Sequence, residues 1–327
     1  MAAELKHKVV KGVAWSTIEK ICSALLQLAV SLVLLNLLSP DDYGLMAIVA
    51  AFPAILMPLV DSGFSQALIR KKDVDDLDYS SVFYVNIVIS LALYTVLVAI
   101  SPACSRFFCA PDFAVIAPIL YLLIPINSFS NIQNAILQRS MEFKHLSLYV
   151  LVANAVSSGV AIWMAVEGLG VWALVGQRLG VVVVKTLLMW LGSRWRPKWQ
   201  FSMERIRGMF RYGSRILLSD LVSNVYYQIS NLFIGKFYTK TDLGYYDRGN
   251  KIKELPVTST IMAVLNVTFS AFSRQKEDRE KLNQNARKVY VMWAFVMFPL
   301  MCGLIAVAED MFRVLLPEVW LPAVPYL

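Results

Sequence analysis

Nine long apolar runs divide the chain, and they constrain its fold more than any other feature of the sequence. Each run is long enough for a membrane-spanning helix, which needs about 20 mostly apolar residues. The runs lie near residues 13–38, 43–69, 80–101, 113–137, 146–166, 171–191, 209–236, 243–272 and 285–308, and a tenth begins near Phe312. The chain has 57% apolar and only 17% charged residues. These are too few charged residues to form the surface of a water-soluble protein around so many apolar runs. The sequence therefore predicts an all-α polytopic membrane protein.

The basic residues predict how the chain is oriented in the membrane. They concentrate in the N-terminal segment and in the connections after spans two, four, six and eight, whereas the connections after spans one, three and five hold only Arg106. Short cytoplasmic segments are rich in Lys and Arg, so we expect a cytoplasmic N-terminus. The net charge of +8 then reflects membrane topology, and nucleic acid is not an expected partner.

An internal repeat with an offset of about 200 residues predicts the domain organisation. The segment LLSPDDYGLMAI at 37–48 matches FYTKTDLGYYDR at 237–248 in pattern, and residues 69–88 resemble residues 273–292. Such repeats are typical of transporters. We predict a six-helix bundle over residues 1–191, a basic cytoplasmic linker over 192–208, and a partial second bundle over 209–327. The second bundle would hold three complete spans and the start of a fourth, as expected for a piece of a protein with at least twelve spans.

Polar residues at helical spacing mark one face on each of three spans. A polar side chain within the membrane usually faces another helix or a wet cavity. Hydrogen bonding between helices is the simpler explanation of one such residue, but stripes in three spans favour a hydrophilic cavity between the two bundles. The residues predicted to line it are Lys20, Ser23, Gln27, Asn127, Asn131, Asn134, Asn224 and Gln228.

Charged residues within the spans predict an anion site. Arg178 and Lys185 are seven residues apart in the sixth span and share a face, and Arg248 and Lys251 begin the eighth span. A charge that faces lipid is costly, so we expect Arg178 and Lys185 to line the cavity. The Arg248 cluster has no charged counterpart in the matching part of span two and lies nearest the outer side, against the positive-inside pattern, so we expect it to form a functional anion site. Lys185 could instead extend towards the cytoplasmic interface, and the Arg248 cluster could be an interfacial anchor. The acidic residues with a possible role in ion coupling are Asp220, Glu19 and Asp61.

The remaining reactive residues indicate neither a cofactor nor an enzyme. Cys104 and Cys109 share one connection and could form a disulfide if it is extracytoplasmic, but free thiols are the favoured expectation. We find no metal-ligand spacing, phosphate-binding loop or nucleophile–base arrangement, so we expect no metal, no cofactor and no catalytic residue.

Three segments of the sequence carry a recognisable pattern: KGVAWSTIEKICSALLQ, the L-x-P-x-x-Y-G motif of Leu38, Pro40, Tyr43 and Gly44, and the Tyr-x-Arg motif of Tyr246 and Arg248. These segments resemble the polysaccharide-transport flippases of the multidrug/oligosaccharidyl-lipid/polysaccharide exporter superfamily, in particular lipopolysaccharide, O-antigen or colanic-acid exporters. The resemblance implies two six-helix bundles around a central cavity in the bacterial inner membrane. It also implies flipping of an undecaprenyl-diphosphate-linked oligosaccharide by alternating access, with Arg248 on the diphosphate. The implied partners are this lipid-linked substrate, membrane lipid and other polysaccharide-assembly proteins.

Two other functions compete with this interpretation. A multidrug cation antiporter of the same superfamily would share the architecture but need an acidic cavity, whereas the sixth span carries only positive charges. A membrane polysaccharide polymerase or glycosyltransferase would need a large extramembrane loop with carboxylates or arginines, and the connections here are short.

Overall fold

The computed structural model describes residues 2–61, 63–71, 73–254, 257 and 279–327. Helices account for nearly all of this part of the chain, and it contains no β-strand. The helices are α1 (Ala2–Leu37), α2 (Pro40–Asp61), α3 (Phe64–Arg70), α4 (Asp76–Phe107), α5 (Phe113–Tyr121), α6 (Leu123–Arg139), α7 (Phe143–Val166), α8 (Val171–Gly192), α9 (Met203–Phe237), α10 (240–254) and α11 (Arg279–Leu315), followed by a 3₁₀ helix at Glu318–Tyr326. The all-α class predicted from the sequence is confirmed.

Seven helical segments in the described residues are long and apolar enough to cross a membrane. Two are formed by pairs of consecutive helices, α2 with α3 and α5 with α6. They are Ile18–Leu37, Pro40–Arg70, Asp76–Phe107, Phe113–Arg139, Phe143–Val166, Val171–Gly192 and Arg287–Leu315. α9 is long enough but is not among them, because polar residues such as Asp220 and Asn224 interrupt its apolar sequence. The run predicted at 243–272 lies largely outside the described residues.

The tenth span was predicted to begin near Phe312, and the structure places this residue at the end of the preceding helix. Phe312 lies in the last turn of α11, which ends at Leu315, and the chain then turns through Pro317 into the 3₁₀ helix. Proline there fixes the backbone and removes a hydrogen-bond donor. The apolar residues that suggested a span pack instead, since Trp320 is fully buried and its indole Nε1 donates to the Leu35 carbonyl at 2.8 Å.

The helices α1 to α8 pack into one bundle with α2 at its centre. α2 contacts α4, α5, α6, α8 and α9, and Ile48, Val49 and Ala51 are completely buried. The outward faces of α1 and α11 instead expose large apolar side chains such as Ile21, Leu25 and Phe295. A lipid environment accounts for such apolar surfaces, which water would disfavour.

One end of the bundle, which we call the motif end, holds residues 38–44 and 238–244. Both segments form the same helix start. Ser39 caps α2 by exchanging hydrogen bonds with Asp42, and Thr239 caps α10 in the same way with Asp242. A hydroxyl residue followed three positions later by an acid suits a helix N-terminus, because it satisfies free backbone N–H groups. At this point the 200-residue repeat is therefore visible in the structure.

The two capped helices cross at glycines. A Cβ atom on Gly44 would lie 1.8 Å from the Lys240 carbonyl oxygen, and one on Gly244 would lie 2.0 Å from the Pro40 carbonyl oxygen. The Thr241 hydroxyl also donates to the Asp41 carboxylate at 2.5 Å. Only glycine permits backbones to approach so closely, so the repeated Gly brings α2 and α10 together.

At the opposite end, the linker end, residues 193–202 run across the start of α4. The backbone N–H groups of Lys198 and Ser202 donate to the hydroxyls of Ser80 and Ser81 at 3.1 and 3.0 Å. The carboxylate of Asp78 is fully buried and accepts from two cationic side chains, those of Lys71 at 2.5 Å and Arg205 at 3.0 Å. α9 begins at Met203, so the second part of the predicted linker is helical.

Candidate functional site

A cavity of about 640 Å³ lies between α1, α2, α7, α8 and α10. Its wall combines apolar residues such as Leu34, Met46 and Val181 with amides, hydroxyls and charged groups. The polar residues on it are Gln27, Ser31, Tyr43, Asn154, Ser158, Gln177, Arg178, Asp247, Arg248, Lys251 and Glu254. An apolar cavity with a few convergent polar groups is the usual form of a ligand site.

Two cations meet on one buried carboxylate in this wall. Arg248 donates to Asp247 Oδ2 from Nε at 3.0 Å and from Nη2 at 2.5 Å. Lys251, one turn further along α10, donates to the same oxygen at 2.9 Å. The Asp247 side chain is 8% exposed, and a buried carboxylate needs such partners because its desolvation is costly.

Arg178 adds a third cation from another helix. It lies on α8, lines the same cavity and is within electrostatic range of Asp247 and Arg248. The Arg178 side chain has substantial accessible surface because it opens into the cavity. Glu254 also lines the cavity and accepts from Asn250 at 3.0 Å. Three cations against two carboxylates leave the wall with a net positive charge.

The structure thus brings Arg178, Arg248 and Lys251 together, but it places Lys185 elsewhere. Lys185 is half-buried on α8, is not among the residues that line the cavity, and has no charged partner in the described part of the chain. The seven-residue spacing puts Lys185 about two turns, or roughly 10 Å, along the axis from Arg178. The cavity extends along α8 only to Val182.

The residues of the polar stripe on α1 lie in different surroundings: some line the cavity, and others contact α7. Gln27 lines the cavity, and Lys20 is exposed. Ser23 is buried against α7, where it donates to Glu19 Oε1 at 3.1 Å and accepts from Asn154 Nδ2 at 3.3 Å. Ser23 and Glu19 therefore make the interhelical and local hydrogen bonds that we considered as the simpler alternative.

The amide stripe of α6 does not line this cavity either. Asn127 donates to Asn131 at 3.3 Å, and Asn134 accepts from Gln138 at 3.2 Å. All four residues are half-buried, so the amides satisfy one another along their own helix, one turn apart. Neighbours at four-residue spacing can do this in any environment, and the spacing alone therefore did not identify a cavity.

A second cavity of about 210 Å³ lies between α2, α3 and α9. Two of the predicted acids, Asp61 and Asp220, line it together with Asn224. Asp61 accepts from the Ser65 hydroxyl at 2.5 Å. Gln228 lies outside both cavities and accepts from Asn231 Nδ2 at 3.1 Å.

Several cavity residues escaped the sequence analysis. Asn154 and Ser158 are four residues apart on α7, so their spacing could have revealed a polar face. Gln177 adjoins Arg178, and Tyr43 belongs to the L-x-P-x-x-Y-G motif, which indicated a family but no site. Cys104 and Cys109 are both free thiols, and so the possible disulfide between them is not formed.

The helices and the cavity between them define a class of protein: a multi-pass helical membrane protein with a polar, net positive cavity among its spans. The model of the "Polysaccharide biosynthesis protein" family matches residues 33–325. The chain therefore belongs to this family, as the motif resemblance indicated.

Curated relatives cover nearly the whole chain. The chain is 25% identical over 319 residues to the succinoglycan biosynthesis transport protein ExoT of Rhizobium meliloti, 98% of this chain and 65% of that protein. It is 25% identical to the teichuronic acid biosynthesis protein TuaB of Bacillus subtilis, covering 99% of this chain and 67% of that protein. It is 21% identical to the lipopolysaccharide biosynthesis protein WzxC of Escherichia coli, covering 99% and 66%. The chain thus spans about two thirds of the length of these relatives.

A solved structure shows the same fold. It is an inward-facing multidrug resistance MATE family transporter of the MOP superfamily. It aligns with a TM-score of 0.65 at 18% identity and covers 95% of this chain and 75% of that chain. At this identity the likeness concerns the arrangement of the helices and not the substrate.

Proposed function

We propose that the chain belongs to a transporter that flips an undecaprenyl-diphosphate-linked oligosaccharide across the bacterial inner membrane for surface polysaccharide biosynthesis. The observation that carries this proposal is the meeting of Arg178, Arg248 and Lys251 on one cavity. Arg binds phosphate oxygens bidentately, and Lys binds them as a compact charge. In this proposal the three cations hold the diphosphate.

The other polar residues of the cavity suit a sugar. Gln27, Asn154 and Gln177 offer amides, and Ser31 and Ser158 offer hydroxyls. These groups can donate to and accept from the many hydroxyls of an oligosaccharide. The prenyl chain would stay in the bilayer, so the protein need not enclose it.

The proposal includes an orientation and a mechanism. With the N-terminus in the cytoplasm, the motif end faces the periplasm and the linker end faces the cytoplasm. The glycine crossing of α2 and α10 then closes the periplasmic side of the cavity, and alternating access requires Gly44 and Gly244 to separate. We expect the six-helix bundle at 1–191 and the partial bundle at 209–327 to move relative to each other.

A coupling ion would fit the second cavity better than the first. Asp61 and Asp220 come from the two predicted bundles and share this cavity, whereas Glu19 is engaged with Ser23. We therefore keep Asp61 and Asp220 as candidates for ion coupling and expect Glu19 to be structural.

The charge of the main cavity disfavours the competing antiporter. A lipophilic cation would need an acidic cavity, but the two acids on this wall face three cations: Asp247 already holds Arg248 and Lys251, and Glu254 accepts from Asn250. ExoT is named a transport protein, which agrees with a role outside catalysis, and we propose that the chain has no enzymatic activity.

The test is complementation of cells that lack their own flippase by the full-length protein. Wild type, Arg248→Gln and Arg313→Gln are compared at matched expression. The control suits this comparison because Arg313 makes the same type of pair with Glu309, but on the exposed surface of α11. We expect Arg248→Gln alone to lose surface polysaccharide and to accumulate the lipid-linked oligosaccharide. Normal export by this variant would show that Arg248 is not needed for transport and would contradict the proposed role of the cation cluster.

A further inference from the structure

Tyr43, the tyrosine of the L-x-P-x-x-Y-G motif, lies with its ring against the guanidinium of Arg248. The guanidinium carbon of Arg248 is 4.3 Å from the centre of the Tyr43 ring. Tyr43 is 3% exposed. A guanidinium over an aromatic face at this distance is a cation–π contact.

The same ring also packs against Trp320 of the 3₁₀ helix. Trp320 packs edge-on against Tyr43 with ring centres 5.4 Å apart, and its own indole is fixed to the Leu35 carbonyl. The phenol ring is thus a fixed support and not a flexible side chain that meets Arg248 by chance.

Arg248 is supported in two different ways. Asp247 takes hydrogen bonds from Nε and Nη2, whereas the face of Tyr43 attracts the cation without using any N–H group. The Nη1 atom makes no hydrogen bond to any residue that the structure describes. A guanidinium has five N–H donors, so donors remain for a ligand in the cavity.

We propose that Tyr43 is a positioning residue that seats Arg248 for the diphosphate of the substrate, an inference that rests on the proposed function. An aromatic face orients the guanidinium while leaving its charge unneutralised. A second carboxylate at the same place would cancel the charge that the diphosphate needs. The motif of α2 and the Tyr-x-Arg motif of α10 therefore build one site from two distant segments.

The tyrosine hydroxyl has no part in this role. It is buried and has no hydrogen-bond partner among the described residues. The ring alone contacts Arg248, so Tyr43→Phe should keep the support and Tyr43→Leu should remove it.

The experiment is a double-mutant cycle on the full-length protein purified in detergent. Wild type, Tyr43→Phe, Tyr43→Leu, Arg248→Gln and the Tyr43→Leu/Arg248→Gln double variant are compared. The dissociation constant of undecaprenyl diphosphate is measured for each, with undecaprenol as the uncharged control. The melting temperature without ligand is measured for the same five proteins.

We expect Tyr43→Leu to weaken binding about 3- to 30-fold, the range of a cation–π contact, and Tyr43→Phe to retain the wild-type affinity. The double variant should bind no more weakly than Arg248→Gln, because Tyr43 acts through Arg248. Tyr43→Leu also loses packing against Trp320, but it does so both in wild type and in the Arg248→Gln background, so this loss cancels in the cycle. The melting temperatures should show the same non-additivity.

Two outcomes would overturn the role of Tyr43 and leave the proposed function standing. In one, wild type binds the diphosphate but the two substitutions act independently. In the other, Tyr43→Phe binds as weakly as Tyr43→Leu. A wild-type protein that binds the diphosphate no better than undecaprenol refutes the proposed function, and the substrate role of Tyr43 falls with it. The melting temperatures then still report whether the ring and Arg248 interact.

Discussion

The crossing of α2 and α10 allows one prediction to be worked out in detail, the effect of a single added methyl group. Gly44→Ala would place a Cβ atom 1.8 Å from the Lys240 carbonyl oxygen, and Gly244→Ala would place one 2.0 Å from the Pro40 carbonyl oxygen. Real Cβ atoms essentially never come closer than 3.0 Å. The two helix ends must therefore separate by about 1 Å, since the atoms that clash belong to the backbone and cannot rotate away.

The expected cost follows from that geometry. Overpacking of a well-packed contact costs about 1–3 kcal/mol, and we expect each substitution to fall at the upper end because the clash is with main chain. With an unfolding entropy of about 2.1 cal/mol/K per residue, 1 kcal/mol lowers the melting temperature by about 1–1.5 °C in a chain of this length or longer. Each variant should therefore melt a few degrees below wild type.

The same chemical change elsewhere provides the control. Gly159 lies within α7, and a Cβ atom there would meet nothing within 4 Å. Gly159→Ala should be neutral or should stabilise the protein by up to about 1 kcal/mol, because alanine is the better helix former. The assay is thermal unfolding of purified full-length protein, followed by tryptophan fluorescence. If Gly44→Ala and Gly244→Ala melt no lower than Gly159→Ala, the close approach of α2 and α10 is refuted.

Three further predictions concern the two ends of the bundle. Asp78→Asn should lower the free energy of unfolding by about 1.5–3 kcal/mol, because Asp78 is buried between two cationic side chains. The control is Asp73→Asn at an exposed position. Equal free energies of unfolding for the two variants, measured by chemical denaturation, would contradict this prediction. The pKa of Asp75 lies below its ordinary value, because its carboxylate accepts from the Asp78 N–H group and lies near cations. An unfolded Asp titrates near pH 3.9, so the stability that Asp75 contributes is complete above about pH 4 and is lost as the pH falls through the folded pKa. Asp75→Asn should therefore flatten the acid limb of the stability curve, and an unchanged limb would refute this. At the motif end, the Asp41→Cys/Thr241→Cys double variant should form a disulfide on mild oxidation, since the two native side chains share a hydrogen bond. The assay is thiol labelling. If the two introduced cysteines stay reduced, the close approach of α2 and α10 at the motif end is contradicted.

The sequence was most informative where a local pattern carries its own physical consequence. Length and apolarity predicted the membrane helices, and the repeated hydroxyl–acid spacing accounts for the matching helix starts at Ser39 and Thr239. After Phe312, the apolar residues form a short 3₁₀ helix that follows Pro317 and buries Trp320. Apolarity alone does not distinguish a membrane helix from a buried segment.

The candidate site was predicted only in part. Arg178 was expected on the cavity from the cost of a charge in lipid, and Arg248 and Lys251 were expected to form an anion site because their charges interrupt the repeat and the positive-inside pattern. All three line the main cavity. The stripe of Asn127 and its neighbours was expected there too, but its amides bond to one another along α6. Asn154, a single amide on α7, lines the cavity instead.

The sequence by itself thus determined which residues share a helix face and which segments must lie in the membrane, because helix periodicity and the cost of burying charge are local properties. Only the tertiary structure decided which faces meet. Tyr43 and Arg248 are distant in the chain, and their contact depends on α2 and α10 crossing at two glycines. Periodicity fixes the direction of a side chain relative to its own helix, but the neighbour that it meets is set by the packing of the whole bundle.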